Sequence, residues 1–335
     1  MMGIGLTTSA AAVALAAAAA SPAQAITVTV TVTGPLAFGD SNVDVGRAAD
    51  PVPNDGRFPA PNTAGGRSSD GLILPEFVAS RVGIGQLNFA FGGATSGETN
   101  IVGALGNEDL LATGTLSQIT EYETTLGVRR ADPDALHLVW AGSNDLFLAD
   151  KNDQAAVDAA VAGASANLEE AATRLTGLGA GTVVLATRTP RPVLSDAPTP
   201  SAEPVEAARD DAAGRQLNEA IRTLAGDLDD TLASDVPLFD YEIIHDLIDG
   251  SGTNGFAAYA PDESQFCVNS ADCGTLINFD AAHKTSAVHS VLADRFIERF
   301  DLEAAVTPVP LPATAWLPLG GLGGLAGFRR LRRSA

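Results

Sequence analysis

The chain alternates short, predominantly apolar runs with longer segments in which apolar residues recur at helical spacing. The run Thr182–Ala186 is apolar almost throughout, which is typical of a strand covered on both faces. Because strands and helices alternate, the pattern predicts an α/β fold, a three-layer α/β/α sandwich with a mainly parallel sheet. The predicted strands are Ile26–Thr33, Gln86–Phe91, Ala135–Trp140, Thr182–Ala186 and Val236–Phe239, and the predicted helices are Leu74–Val82, Leu116–Leu126, Asp153–Leu178, Ala202–Leu232, Glu242–Ile248 and Lys284–Phe300.

The first 25 residues have the pattern of a secretory signal peptide. An apolar run, Ala10–Ala20, leads to Ala23 and Ala25 in the small-x-small arrangement that signal peptidase cleaves. The segment before it, Met1–Ser9, departs from the pattern because it carries no Lys or Arg. The alternative is an Ala-rich helix. We expect residues 1–25 to be a signal peptide and the protein to be exported.

The last 29 residues, 307–335, contain a short motif, an apolar segment and a basic tail. The motif is Val309–Ala313, the apolar segment continues to Phe328, and Arg329–Arg333 follows. The segment is shorter than the ~20 apolar residues of a permanent transmembrane helix. This arrangement resembles the PEP-CTERM sorting signals of Gram-negative bacteria, in their VPLPA variant. The resemblance implies a transient inner-membrane anchor, cleavage by an exosortase-type enzyme, and release to the cell surface or extracellular matrix. The alternative is a plain C-terminal anchor. The folded domain is then residues 26–306.

Charge and cysteine content limit the classes of partner. The sequence has 41 acidic and 20 basic residues, a net charge of −21, which argues against nucleic-acid binding. The two cysteines, Cys267 and Cys273, lie close together, and in an exported protein this spacing predicts a local disulfide, with two free thiols as the alternative. We find no metal-ligand spacing and no phosphate-binding loop, so we predict neither metal nor cofactor.

Four segments carry side chains that suit nucleophilic catalysis. Ser41 follows an apolar strand, and a serine hydroxyl needs a base to become nucleophilic. Asp280 and His283 are three residues apart, so the carboxylate can orient the imidazole. The Gly-rich turn in Asn88–Gly97 and the amide of Asn144 follow two other strands and offer donors to an oxyanion. Taken singly, each segment is more often an ordinary turn, helix cap or surface pair.

In this order the four segments resemble the blocks of the SGNH (GDSL-type) esterase and lipase family, over about Pro35 to Phe300. The resemblance implies a flavodoxin-like fold and a carboxylic ester hydrolase working through an acyl-enzyme. It assigns Ser41 as nucleophile, His283 as base and Asp280 as its orienting acid. It places the oxyanion donors on Ser41, Gly93 and Asn144. The segment Gly65–Gly71 and the following Leu74–Phe77 also resemble the longer GDSL lipases.

Two positions depart from the family pattern. Lys284 follows His283 where proline is frequent, and Asn42 follows the nucleophile where leucine is usual. Lys284 would alter the charge near the site and bear on substrate preference. We interpret His137 as a packing residue and assign no site role to His245 or His289.

The expected substrate is a small-molecule, lipid or acylated-glycan ester. Two other functions remain open at this point. A non-catalytic surface or matrix protein could use the fold to bind glycans, and a polysaccharide O-deacetylase could use the same scaffold.

Overall fold

The computed structural model describes residues 35–48, 64–104, 106, 108–188, 204–241, 266–267, 273–274, 276–280 and 282–302. The predicted signal peptide, the predicted sorting segment, the strand Ile26–Thr33, the helix Glu242–Ile248 and His245 lie outside these residues. None of the helices in the described ranges is long and apolar enough to span a membrane.

Five parallel strands form one sheet. They are β1 (Leu36–Gly39), β2 (Leu87–Asn88), β3 (Leu136–Trp140), β4 (Thr182–Ala186) and β5 (Leu238–Phe239), in the spatial order β2-β1-β3-β4-β5. Every pairing between neighbours is parallel, which confirms the predicted sheet. The order places β1 and β3 side by side at the centre, so their carboxyl ends meet at one edge of the sheet.

Helices cover both faces of the sheet, as the alternating pattern predicted. They are α1 (Leu74–Val82), α2 (Ile101–Ala104), α3 (Thr115–Leu126), α4 (Ser143–Leu148), α5 (Gln154–Leu178), α6 (Pro204–Thr231) and α7 (Ser286–Arg299). Short 3₁₀ turns occupy Ala64–Gly66 and Glu108–Leu110.

The two faces of the sheet pack into two separate cores. Alternate residues of β1 point to opposite faces, so Phe38 joins the core beneath α3, α5 and α6 while Ala37 joins the core beneath α1 and α7. Trp140 of β3 and Phe239 of β5 also belong to the second core, where their rings pack edge to face. Apolar burial on both faces explains why the central strands are apolar almost throughout.

Element boundaries differ from the predictions mainly at edges and caps. The predicted strand Gln86–Phe91 contains only the two-residue β2, at the edge of the sheet. The predicted helix Asp153–Leu178 begins one residue later, because the Asp153 carboxylate caps it by accepting the N–H of Ala155. The last predicted helix began at Lys284. In the structure it begins at Ser286, where the Thr285 hydroxyl caps the first turn.

Candidate active site

Ser41 lies immediately beyond the carboxyl end of β1. The strand ends at Gly39, which has a φ of 138° and leaves no room for a side chain: a Cβ there would lie 2.0 Å from the carbonyl oxygen of Trp140. This close approach of β1 to β3 lets the chain turn at Asp40, whose Oδ1 accepts the backbone N–H of Asn42 at 3.0 Å. The turn leaves the Ser41 side chain partly exposed at the sheet edge.

Ser41, His283 and Asp280, the three residues predicted to act together, lie in contact in the structure. His283 Nε2 lies 2.7 Å from Ser41 Oγ, although 242 positions separate them in sequence. The other ring nitrogen, Nδ1, lies 2.8 Å and 2.9 Å from the two carboxylate oxygens of Asp280. The geometry lets the carboxylate fix the proton on Nδ1 and leaves Nε2 facing the hydroxyl.

Asp280 and His283 lie in a loop before α7 and not on a helical turn as their spacing suggested. Asp280 Oδ1 accepts the backbone N–H groups of Ala282 at 2.7 Å and His283 at 2.8 Å, so the carboxylate organises the loop as well as the ring. Burial acts to raise the pKa of Asp280, but the His283 charge and these hydrogen bonds outweigh it and lower the pKa to about 2. The acid is therefore ionised at neutral pH.

Two backbone N–H groups, those of Ser41 and Gly93, are candidate donors for an oxyanion. Within the described residues, the N–H groups of Ser41 and Gly93 donate no hydrogen bond. Gly93 has a φ of 81°, and a Cβ there would lie 2.6 Å from Asn100 Oδ1. Glycine is therefore required where the chain turns behind Ser41. A Cβ added to the adjacent Gly92 would lie 3.9 Å from the Ser41 Cβ, so this turn lies close to Ser41, and unengaged donors there suit the oxyanion of an acyl-transfer reaction.

Asn144 lies on α4, which follows the carboxyl end of β3. Its amide nitrogen donates to the carbonyl oxygen of Ala94 at 2.8 Å, so one of its two N–H groups is already engaged in holding the Gly93 turn. The family resemblance implied only an oxyanion-donor role for Asn144, without this contact to Ala94.

Asp145, which the sequence analysis did not single out, holds the same turn. Its carboxylate accepts the N–H of Ser96 at 2.8 Å and the Ser96 hydroxyl at 2.7 Å, and Asn167 of α5 donates to that hydroxyl at 2.9 Å. Burial raises the pKa of Asp145 above its usual value, and the Ser96 hydrogen bonds partly oppose this. An acidic residue in the first turn of the helix that follows a buried strand was the available signal.

Cys267 and Cys273 form the predicted disulfide, with Cα atoms 4.9 Å apart. Asp70 lies close to both sulfur atoms, and these three residues make up the potential metal-ligand group found within the described ranges. Because the two sulfurs are bonded to each other, they are not thiolates and do not form a metal site.

The remaining described histidines are both buried. His137 Nε2 lies 3.3 Å from the Tyr122 hydroxyl and Nδ1 lies 3.1 Å from the Ala135 carbonyl, which confirms the interpretation as a packing residue. His289 Nδ1 accepts the N–H of Leu74 at 3.3 Å. Burial, with smaller contributions from His283 and Lys284, lowers the pKa of His289 to about 3, so it is neutral.

The pattern of the family described as GDSL-like Lipase/Acylhydrolase matches residues 36–296. A search among curated proteins returned no match. Similar solved structures include a proposed arylesterase from Agrobacterium tumefaciens, at 15% identity over 81% of this chain and 100% of the other, with a TM-score of 0.46.

Two further similar structures are a carbohydrate acetylesterase from Sinorhizobium meliloti and an acetylxylan esterase from Geobacillus stearothermophilus. The first is 14% identical over 80% of this chain and 98% of the other, with a TM-score of 0.46. The second is 16% identical over 81% of this chain and 95% of the other, with a TM-score of 0.43. The family match extends from β1 into α7 and spans Ser41, the Gly93 turn, Asn144, Asp280 and His283, so the chain belongs to the GDSL-like lipase/acylhydrolase family of ester hydrolases.

Proposed function

We propose that the protein is an exported serine esterase in which Ser41, His283 and Asp280 form the catalytic triad. The observation that carries the proposal is the continuous chain of short contacts from Asp280 to His283 Nδ1 and from His283 Nε2 to Ser41 Oγ. Each contact is within the range in which a proton is shared or transferred. A serine with an oriented neutral imidazole on its hydroxyl is an activated nucleophile.

In the acylation step Ser41 Oγ attacks the ester carbonyl carbon while His283 Nε2 takes the hydroxyl proton. The resulting imidazolium is stabilised by the Asp280 carboxylate, which stays ionised because its pKa is about 2. The tetrahedral intermediate expels the alcohol, which takes the proton from His283. Water then attacks the acyl-enzyme with His283 again as base, releasing the carboxylic acid and free Ser41.

The negative charge that develops on the carbonyl oxygen requires donors that are already in place. We assign the N–H groups of Ser41 and Gly93 and the second N–H of the Asn144 amide to this role. Because the first Asn144 N–H holds the Ala94 carbonyl, the amide is fixed before substrate binds. Losing one such donor costs about a hundredfold to a thousandfold in kcat.

Substituting Ser41→Ala tests the assignment directly. We expect kcat on a soluble acyl ester to fall by at least about 10³-fold and a fluorophosphonate probe to stop labelling the protein. Ser117→Ala is the matched control, because the hydroxyl of Ser117 on α3 donates to the backbone carbonyl of Glu98 at the protein surface. A Ser41→Ala variant that keeps wild-type activity or labelling would exclude this mechanism. A wild type that the probe never labels would favour a non-catalytic glycan-binding role.

Export rests on the signal-like residues 1–25 and the sorting-like residues 307–335, and the disulfide supports it, since such bonds persist in oxidising compartments. Cell fractionation with mass spectrometry of the termini should find the mature domain 26–306 outside the cytoplasm, cleaved near Val309–Ala313. Full-length protein retained in the cytoplasm would contradict export. A panel of esters graded in acyl length, including acetylated glycans, separates a general esterase or lipase from a polysaccharide O-deacetylase.

A further inference from the structure

The loop that carries Asp280 and His283 is closed at its base by the residues on either side of it, Asn278 and Lys284. We call this base of the loop the neck. Asn278 and Lys284 form an antiparallel β-bridge across this neck. The Lys284 amine donates to Asn278 Oδ1 at 2.7 Å, and the two residues are only 2% and 1% exposed. A hydrogen bond between two buried polar groups is costly to break because water cannot replace it. We call this pair the clasp.

The hydrogen-bond pattern of the bridge shows why the side chains of the clasp affect the distance between the two strands of the neck. The flanking backbone groups make the hydrogen bonds: Phe279 N–H donates to the His283 carbonyl at 2.9 Å and Thr285 N–H to the Ile277 carbonyl at 3.0 Å. The bridged residues themselves are therefore a non-hydrogen-bonded pair, in which opposite side chains stand closest. The side-chain contact adds a third tie between the two strands, one residue away from the imidazole.

Two further hydrogen bonds fix the clasp to other parts of the domain. The backbone N–H of Cys267 donates to the Asn278 carbonyl at 3.0 Å, which joins one side of the neck to the disulfide segment. The buried hydroxyl of Ser69 donates to the Lys284 carbonyl at 3.2 Å on the other side. The neck is therefore held from both sides.

We propose that Lys284 and Asn278 are positioning residues, whose buried hydrogen bond keeps His283 at hydrogen-bond distance from Ser41. This inference rests on the proposed triad. Lys284 is bonded directly to His283 in sequence, so a shift of the neck moves the imidazole relative to a hydroxyl that is fixed at the end of β1. The structure shows that the buried Lys284 amine donates to Asn278, and the expected effect of its charge near the site on substrate preference stays a prediction.

The variants Lys284→Met and Asn278→Leu remove the donor and the acceptor in turn. Displacing a catalytic group by ~1 Å costs up to about a hundredfold, so we expect kcat to fall about tenfold to a hundredfold. KM should stay within about twofold, because both side chains are buried. The double variant should lose less than the product of the two single losses, because both substitutions remove the hydrogen bond between Lys284 and Asn278. Asn278→Asp keeps an acceptor and should retain kcat within about threefold of wild type.

Ser234→Ala is the matched control for the loss of a buried hydrogen bond. Ser234 Oγ donates to the Ala180 carbonyl at the opposite, amino-terminal edge of the sheet. This control should lower Tm without changing kcat. If Lys284→Met does not fold, Lys284→Gln tests the same contact with a side chain too short to span it, and the same fall in kcat is expected.

Unchanged kcat in folded Lys284→Met or Lys284→Gln overturns the proposal, as does a raised KM at constant kcat. Additive losses in the double variant also overturn it. These results leave the triad standing if Ser41→Ala is inactive, whereas an inactive wild type rejects the triad itself.

Discussion

Replacing Asp280 by asparagine should trap the base in the wrong tautomer. Asp280 Oδ1 accepts the backbone N–H groups of Ala282 and His283 at 2.7 Å and 2.8 Å. The amide oxygen of asparagine can keep both bonds, which places its NH₂ group where Oδ2 now lies, 2.9 Å from His283 Nδ1. Oδ1 lies 2.8 Å from Nδ1 but already accepts two backbone N–H groups, so we expect the NH₂ donor to compete for Nδ1 and to favour the ring tautomer with its proton on Nε2. That proton points at Ser41 Oγ, and the ring can no longer accept the hydroxyl proton.

The expected loss of kcat is large because the substitution acts directly on the proton transfer from Ser41 to His283. A wrong tautomer in a serine–histidine–aspartate triad costs about 10⁴-fold in kcat. At 1.36 kcal/mol for each factor of ten, this equals about 5.4 kcal/mol of activation free energy. Because the backbone bonds to Oδ1 survive, the loop should keep its shape and KM should change little. The wild-type Asp280, with a pKa of about 2, stays charged down to strongly acidic pH.

The measurement is kcat and KM for p-nitrophenyl acetate, with Tm followed in parallel. Asp229→Asn is the matched control: its Oδ1 accepts the N–H of Val236 at 2.7 Å, away from the site. We expect that control to keep full activity. A folded Asp280→Asn enzyme within tenfold of the wild-type kcat would refute the assigned role of the carboxylate.

Two further predictions concern stability. Replacing both Cys267 and Cys273 by serine opens a loop with a sequence separation of 6, and loop-closure entropy predicts a loss of about 2 kcal/mol in the free energy of unfolding, measurable by urea titration. Burial raises the pKa of Asp145, so its charged form costs stability at neutral pH. Asp145→Asn should therefore raise Tm at pH 7, and this gain should vanish as the pH falls towards 3.8, the ordinary pKa. The same variant should lower kcat, because Asp145 holds the Ser96 turn.

Clear outcomes would contradict these two expectations. An unfolding midpoint unchanged by the loss of both cysteines would show that the disulfide constrains nothing in the unfolded chain. A lower Tm of Asp145→Asn at pH 7 would show that the hydrogen bonds to Ser96 outweigh the cost of burying the charge. Calorimetry at several pH values tests the net effect, since the cost of burying the charge is lost once Asp145 is protonated.

The fold was predictable because continuous apolar runs indicated the strands and apolar residues at helical spacing indicated the helices. Apolar runs such as Thr182–Ala186 can be buried on both faces only in a covered parallel sheet, and the helix before this strand, Gln154–Leu178, ends at Gly179 in the left-handed conformation. The edge strand β2 was predicted too long. Only Leu87 and Asn88 have strand geometry, although the backbone N–H groups of Phe89 and Phe91 still donate to the Ala37 and Gly39 carbonyls as the chain continues beside β1.

The sequence predicted which residues lie at the site, but not all of the hydrogen-bond partners of their side chains. Parallel strands bring their carboxyl ends to one edge, so side chains that follow β1 and β3 meet there whatever their separation in sequence. Sequence spacing does not give the direction of a side chain. Asn144 donates to Ala94, and Lys284 turns into the core to reach Asn278. Both follow from tertiary packing that no local pattern encodes.

The two parts of the proposed catalytic site depend on different kinds of structural support. Ser41 follows a central strand whose position is set by pairing on both sides and by the contact of Gly39 with Trp140. The acid and base lie on a loop outside the sheet, so their position depends on side-chain hydrogen bonds, the disulfide segment and the cap of α7. The proposed base therefore keeps its position relative to Ser41 only while the contacts at the base of its loop persist, the hydrogen bond from Lys284 to Asn278 among them.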